Sequence, residues 1–73
     1  MPTYRHYMGS FWNHQVGRKY TLWQCGDYHY EIDIYSPAKG WIEHQFDLQN
    51  TPAEEAIDLC EKMSKTGGFS LRA

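Results

Sequence analysis

From Tyr28 to Tyr35 the chain alternates apolar and polar residues without a break. Tyr28, Tyr30, Ile32 and Ile34 share one face, and His29, Glu31 and Asp33 share the other. A period of two in aromatic and β-branched residues predicts a half-buried strand, which cannot hide its apolar face alone. Lys19 to Gln24 predicts a strand before it, and Trp41 to Leu48 alternates again after the turn cluster Ser36-Pro37-Ala38-Lys39-Gly40. In that third strand Ile42, His44, Phe46 and Leu48 share a face opposite Glu43, Gln45 and Asp47. The three strands read as an antiparallel meander.

The join between the first two strands fixes their register. Gly26-Asp27 suits a two-residue hairpin turn with glycine first, pairing Cys25 with Tyr28 and Trp23 with Tyr30. Thr21, Trp23 and Cys25 then face the core. A loop one residue longer turns Tyr20 and Leu22 inward instead. The shorter turn is the expectation.

At Thr51 the period changes. Thr51-Pro52-Ala53-Glu54 reads as a capping box with proline at the first helical position. Ala53, Ala56, Ile57, Cys60 and Met63 recur at helical spacing. Asp58 with Lys62 and Glu61 with Lys65 are favourable pairs four residues apart. Acids open this helix, lysines close it, and Gly67-Gly68 ends it. The predicted helix spans 52–65, and residues 69–72 are long enough for a closing strand.

Residues 1–18 show no sustained period. Pro2, Gly9, Ser10, Asn13 and Gly17 punctuate them, with Tyr4, Tyr7, Phe11 and Trp12 scattered between. They read as a loop-rich arm, mobile at the start, with room for a short strand around Phe11. The expected architecture is therefore a single α+β domain over 1–73. A three- to four-stranded antiparallel sheet packs on one C-terminal-half helix, with 1–18 as a lead-in and 19–72 as the core.

Composition supports a small packed domain. The chain has 73 residues, including three Trp, six Tyr and three Phe, and aromatic side chains bury much area per residue. No apolar run approaches a membrane span, and the opening residues lack the apolar core of a signal peptide. Two cysteines do not make a disulfide framework, so both are expected reduced in a cytoplasm.

The net charge of −2 conceals a split. Residues 1–26 carry Arg5, Arg18 and Lys19 without an acid, whereas residues 27–73 carry all nine acids against Lys39, Lys62, Lys65 and Arg72. Two differently charged patches follow, each suited to its own partner.

Catalytic chemistry finds no foothold. The chain has no phosphate-cradling loop, metalloprotease helix or nucleophile elbow, and no enzymatic activity is expected. Glu31, Asp33, Glu43 and Asp47 read as one acidic sheet face, solvated or docked on a basic partner. Cys25 and His29 are the one close pair of metal-ligand type. The expected hairpin sets them on opposite faces, so neither metal nor cofactor is expected. Cys60 belongs to the helix stripe as a small apolar residue.

Binding is the remaining class. Tyr4, Arg5, His6, Tyr7, Trp12, Arg18, Lys19 and Tyr20 interleave basic and aromatic groups. That mixture serves single-stranded nucleic acid and also dominates protein–protein hot spots. The acidic remainder of the chain repels a polyanion, which favours a protein partner.

Taken whole, from Met-Pro-Thr-Tyr-Arg-His-Tyr through the helix to Phe-Ser-Leu-Arg-Ala, the chain resembles the small RNA-polymerase-binding transcription regulators of lytic Xanthomonas phages. The resemblance implies binding to the amino-terminal part of the host polymerase β′ subunit, near the RNA exit channel. It further implies a bacterial cytoplasm as the place of action, inhibition of σ-dependent initiation and suppression of intrinsic termination. There the cationic arm can meet acidic polymerase segments or the emerging RNA. Such a protein acts as a monomer, without a cofactor or a membrane. Charge and expected exposure, not the resemblance, select Tyr4, Arg5, His6, Tyr7, Arg18, Lys19 and Tyr20 for the contact. Two alternatives stand beside this reading: a single-stranded nucleic-acid-binding module using the same arm, and a phage inhibitor of another enzyme working through its acidic face.

Overall fold

The computed structural model describes residues 4–71. Four antiparallel strands, β1 (His6–Asn13), β2 (Arg18–Gly26), β3 (His29–Ser36) and β4 (Trp41–Leu48), run as a meander in the order β1-β2-β3-β4. One helix, α1 (Ala53–Thr66), follows and lies over β2 and β1, touching β3 less. The α+β architecture matches the expectation. The fourth strand, however, comes from the supposed arm. Residues 69–71 form no strand, and Arg72 lies outside the described residues, as do residues 1–3 of the expected mobile start.

The apolar faces of β2 and β3 build the core. Tyr20, Leu22, Tyr30, Ile32, Ile34 and Leu48 are buried beneath Ala56, Cys60 and Met63 of the helix. Each large aliphatic side chain hidden in this way contributes about 1.5–3 kcal/mol. Phe11, Phe46, Ala53, Leu59 and Leu71 pack around the margin. Ile57, expected in the helix stripe, is 39% exposed, and the stripe turns instead through Ser64.

The β2–β3 register corrects the expected hairpin. Gln24 pairs with Tyr30 and Gly26 with His29, leaving Cys25 as the extra residue of a bulge. Asp27 and Tyr28 thus make the turn, and Tyr20 and Leu22, not Thr21 and Trp23, face the helix. The reason is area: Tyr20 and Leu22 complete an apolar face with Tyr30, Ile32 and Ile34. Thr21 would bring a hydroxyl into that face.

A second bulge corrects β4. Ile34 pairs with His44 and Tyr35 with Ile42, so Glu43 is unopposed. Glu43 therefore turns toward Arg18, 3.5 Å away, on the helix side of the sheet. It leaves the expected acidic face. Ile42 is left 45% exposed.

The helix forms between the expected signals but with a different start. Pro52 occupies the N-cap position in extended conformation and has no side-chain oxygen to offer. The Thr51 hydroxyl donates to the Gln49 carbonyl, so the capping box does not form. Thr51 is instead buried, its amide bonded to the Tyr28 carbonyl at 2.9 Å. Glu54 and Glu55 in the first turn and Lys65 in the last still favour the helix dipole. Both expected ion pairs form, Lys62–Asp58 at 2.9 Å and Lys65–Glu61 at 4.0 Å. Gly67 ends the helix at φ 76°, where an added Cβ would lie 2.9 Å from Asn13 and Val16.

Asn13 explains why a residue read as loop punctuation ends a strand. Its Oδ1 accepts from the Gln15 and Val16 amides, shaping the turn, while Nδ2 donates to the Ser64 carbonyl at 2.8 Å. One side chain thus closes the β1–β2 hairpin and pins it to the helix end.

Burial pushes the Cys60 thiol up to about 12 from an ordinary 9.0. The unfolded chain then releases this proton three pH units earlier (12 − 9 = 3), and between those values the unfolded state binds fewer protons. Stability falls as pH rises through that window, by at most about 1.4 kcal/mol per pH unit. Burial also raises the Tyr20 phenol, which adds in the same direction. Urea midpoints of the reduced protein should drop as pH rises from about 9 toward about 12. The drop should be shallower in Cys60→Ala.

Candidate interaction surface

Among the described residues, no helix or strand covers the face of the sheet away from α1. Odd-numbered residues of β2 and β3 point there, with Tyr7, Ser10 and Trp12 of β1 opposite Trp23, Thr21 and Lys19. No concave pocket forms among the described residues, so the surface itself is the candidate site.

At its centre Asp33, only 5% exposed, gathers three donors. Arg5 Nη2 donates at 2.7 Å, Gln45 Nε2 at 2.9 Å and Trp23 Nε1 at 3.1 Å. Arg5 also reaches Glu31 at 3.2 Å and lies 4.3 Å from the centre of the Trp23 ring. The hydrogen bond to Asp33 holds the Arg5 guanidinium above its ordinary pKa, against a smaller opposing effect of burial. Tyr7 meets Trp23 edge-on at 5.7 Å, and its hydroxyl bonds Ser10 Oγ. The result is a cross-braced patch: Tyr7, Arg5 and Trp23 stand on an anionic post.

A second aromatic group lies at the far end of β1. Trp12, 49% exposed, stacks on His14 at 5.8 Å, and Lys19 Nζ lies 5.6 Å from the Trp12 ring centre. Such cation–ring contacts each contribute about 0.5–1 kcal/mol at exposed sites.

The residues singled out in the sequence thus separate. Tyr4, His6 and Tyr7 are exposed, and Lys19 is half-buried beside Trp12 on the open face. Arg5 is at the surface but held by two carboxylates. Arg18 lies on the opposite side of the sheet, donating to the Gly67 carbonyl, paired with Glu43 and placed 4.3 Å from the Phe69 ring centre. It fastens the chain after the helix. Tyr20 is fully buried, its hydroxyl donating to the Gly68 carbonyl at 2.9 Å, and so is no contact residue. Register decides both corrections: Arg18 and Tyr20 share the inward face of β2.

The acidic face is also rearranged. Asp33 and Glu31 hold Arg5, and Asp47 receives Gln49 and His29. Those last two hydrogen bonds, Gln49 first, keep the Asp47 carboxyl below its ordinary pKa. For Glu43, desolvation is outweighed by the hydrogen bonds and charges of Lys39 and Arg18, and its pKa is likewise lowered. Each of these four acids has a partner within the chain, which weakens the expectation of a free acidic docking face.

Trp23 and Cys25 were expected in the core, and both lie on the open side. The bulge at Cys25 brings its sulfur, His29 and Glu31 together, with one ligand atom from each within 4.8 Å of the others. This overturns the expectation that Cys25 and His29 stand on opposite faces.

Comparison with protein-family models, curated proteins and solved structures finds no match. No helix is long and apolar enough to cross a membrane among the described residues.

Proposed function

We propose that this chain regulates transcription by binding a bacterial RNA polymerase. The resemblance over the whole chain supports the choice of partner: the amino-terminal region of β′, near the RNA exit channel. Occupancy there hinders σ-dependent initiation and leaves less room for a terminator hairpin, and it requires no catalytic group. What supports the mode of binding is one observation, the aromatic and cationic strip of Tyr7, Trp12 and Lys19 beside the braced Arg5 and Trp23, with exposed Tyr4 just before it in the chain. Aromatic and arginine side chains on a rigid support lose little freedom on docking, and they are the groups that anchor protein interfaces.

The full-length tagged chain should recover β and β′ from bacterial lysate treated with nuclease, with σ depleted from the captured enzyme. Trp12→Ala combined with Lys19→Glu should weaken that binding roughly 30-fold, the equivalent of a hot spot worth about 2 kcal/mol. Its stability should fall by no more than about 1 kcal/mol, the contribution of the Lys19–Trp12 contact that it removes. Undiminished capture by the double variant would remove this strip from the contact.

The stacked pair Trp12 and His14 beside Lys19 also favours a second reading, single-stranded nucleic-acid binding. Salt distinguishes the two. Phosphate contacts weaken steeply as salt rises, whereas aromatic anchoring weakens little.

A further inference from the structure

We propose that Cys25, His29 and Glu31 form a binding site for a thiophilic divalent cation of the zinc class. Their three ligand atoms lie within 4.8 Å of one another, and all three residues are half-buried, reachable from solvent yet held by the sheet. Tetrahedral zinc with sulfur at about 2.3 Å and nitrogen or oxygen at about 2.0–2.2 Å holds such atoms roughly 3.3–3.8 Å apart. Small side-chain rotations close that difference. A thiolate, an imidazole and a carboxylate together select zinc over calcium or magnesium, which prefer oxygen alone. Three protein ligands leave a fourth position open to water or to a partner's side chain.

The surroundings add a second, independent observation. His29 Nε2 faces Asp47 Oδ1, and Gln49 Nε2 donates to the other Asp47 oxygen at 2.8 Å. An ionised carboxylate only accepts, so the ring donates its Nε2 proton to Asp47. With Nε2 engaged by Asp47, Nδ1 is the ring nitrogen left to ligate a metal. A carboxylate behind a ligating histidine orients the ring and raises its basicity, the arrangement common around protein-bound zinc. Asp47 is thus a positioning residue.

Charge agrees with the geometry. Metal binding takes the proton from Cys25, so the loaded cluster sets a thiolate and the Glu31 carboxylate against one dication, with Asp47 behind. Arg5 is the cation facing the cluster, 3.2 Å from Glu31. It retains Asp33 as its second partner when Glu31 turns to the metal. Glu31 in the cluster and Asp47 behind His29 both favour a dication there.

The test is titration of the reduced, full-length chain with Co²⁺ in the absence of oxygen, followed by Zn²⁺. One equivalent of Co²⁺ should produce a near-ultraviolet thiolate-to-metal absorption band, and Zn²⁺ should abolish it by displacement. Cys25→Ser should lose the band while keeping its circular dichroism. Cys60→Ala should keep the band, because the Cys60 thiol is buried in the core. Asp47→Asn should retain the band but weaken Co²⁺ affinity about 10–100-fold, the range for a group behind a ligand. No band in the parent at one equivalent would overturn the proposal. So would a band that survives in Cys25→Ser, or one that saturates at a single ion per two chains.

Discussion

Tyr20→Ala is expected to cost about 3–5 kcal/mol, a large share of what keeps so small a domain folded. A natural domain holds about 0.05–0.15 kcal/mol per residue, so this chain of 73 residues has roughly 4–11 kcal/mol in total. Tyr20 is one of the two largest fully buried side chains and sits beneath the helix with Leu22, Ile32 and Ile34. Its loss leaves a cavity that strands pinned on both sides cannot collapse to fill. Tyr20→Phe isolates the polar end: it removes only the hydrogen bond to the Gly68 carbonyl and should cost about 1 kcal/mol. Urea unfolding of the three proteins checks both. A parental midpoint for Tyr20→Ala, with polymerase binding lost, would return Tyr20 to the contact surface and contradict its place in the core.

Asp33→Ala should be the most damaging change on the open face, at about 2–4 kcal/mol. The carboxylate is nearly inaccessible and accepts from Arg5, Trp23 and Gln45. Removing it strands the indole N–H and leaves Arg5 with Glu31 alone. Asp33→Asn should recover little. An amide keeps one acceptor oxygen but turns two hydrogens toward groups that are themselves donors. The two variants can be ranked by thermal unfolding at matched ionic strength. Both should also loosen Arg5 from the Trp23 ring, so polymerase binding should fall even at temperatures where they remain folded. If Asp33→Asn matches the parent in stability, the three donors are satisfied by water and Asp33 is no post.

Periodicity made most of the fold legible. The helix carried its own marks, acids first, lysines last, glycine after, with an apolar residue every third or fourth position between. Strands β3 and β4 showed their alternation openly. Strand β1 did not, because it is an edge strand with Met8 bulged and Gly9 at φ 143°, which breaks the period where it would be read. The same device hid the site. A bulge adds one residue without a reliable mark in the sequence, and one residue exchanges the faces of a strand. At Cys25 it sent Tyr20 inward and Trp23 outward, and it set Cys25 beside His29. At Glu43 it moved a carboxylate from the open face to Arg18. His6 and Tyr7 remained accessible on β1, whose outer edge pairs with no strand among the described residues.

That exposed strip gives the account its most direct measurement: equilibrium binding of the labelled full-length protein to purified bacterial core RNA polymerase, with and without σ, at low and high salt. Saturable one-to-one binding that σ opposes, that changes little with salt and that falls in the Trp12→Ala, Lys19→Glu variant is the expected result. Absence of saturable binding to the purified core enzyme would contradict it.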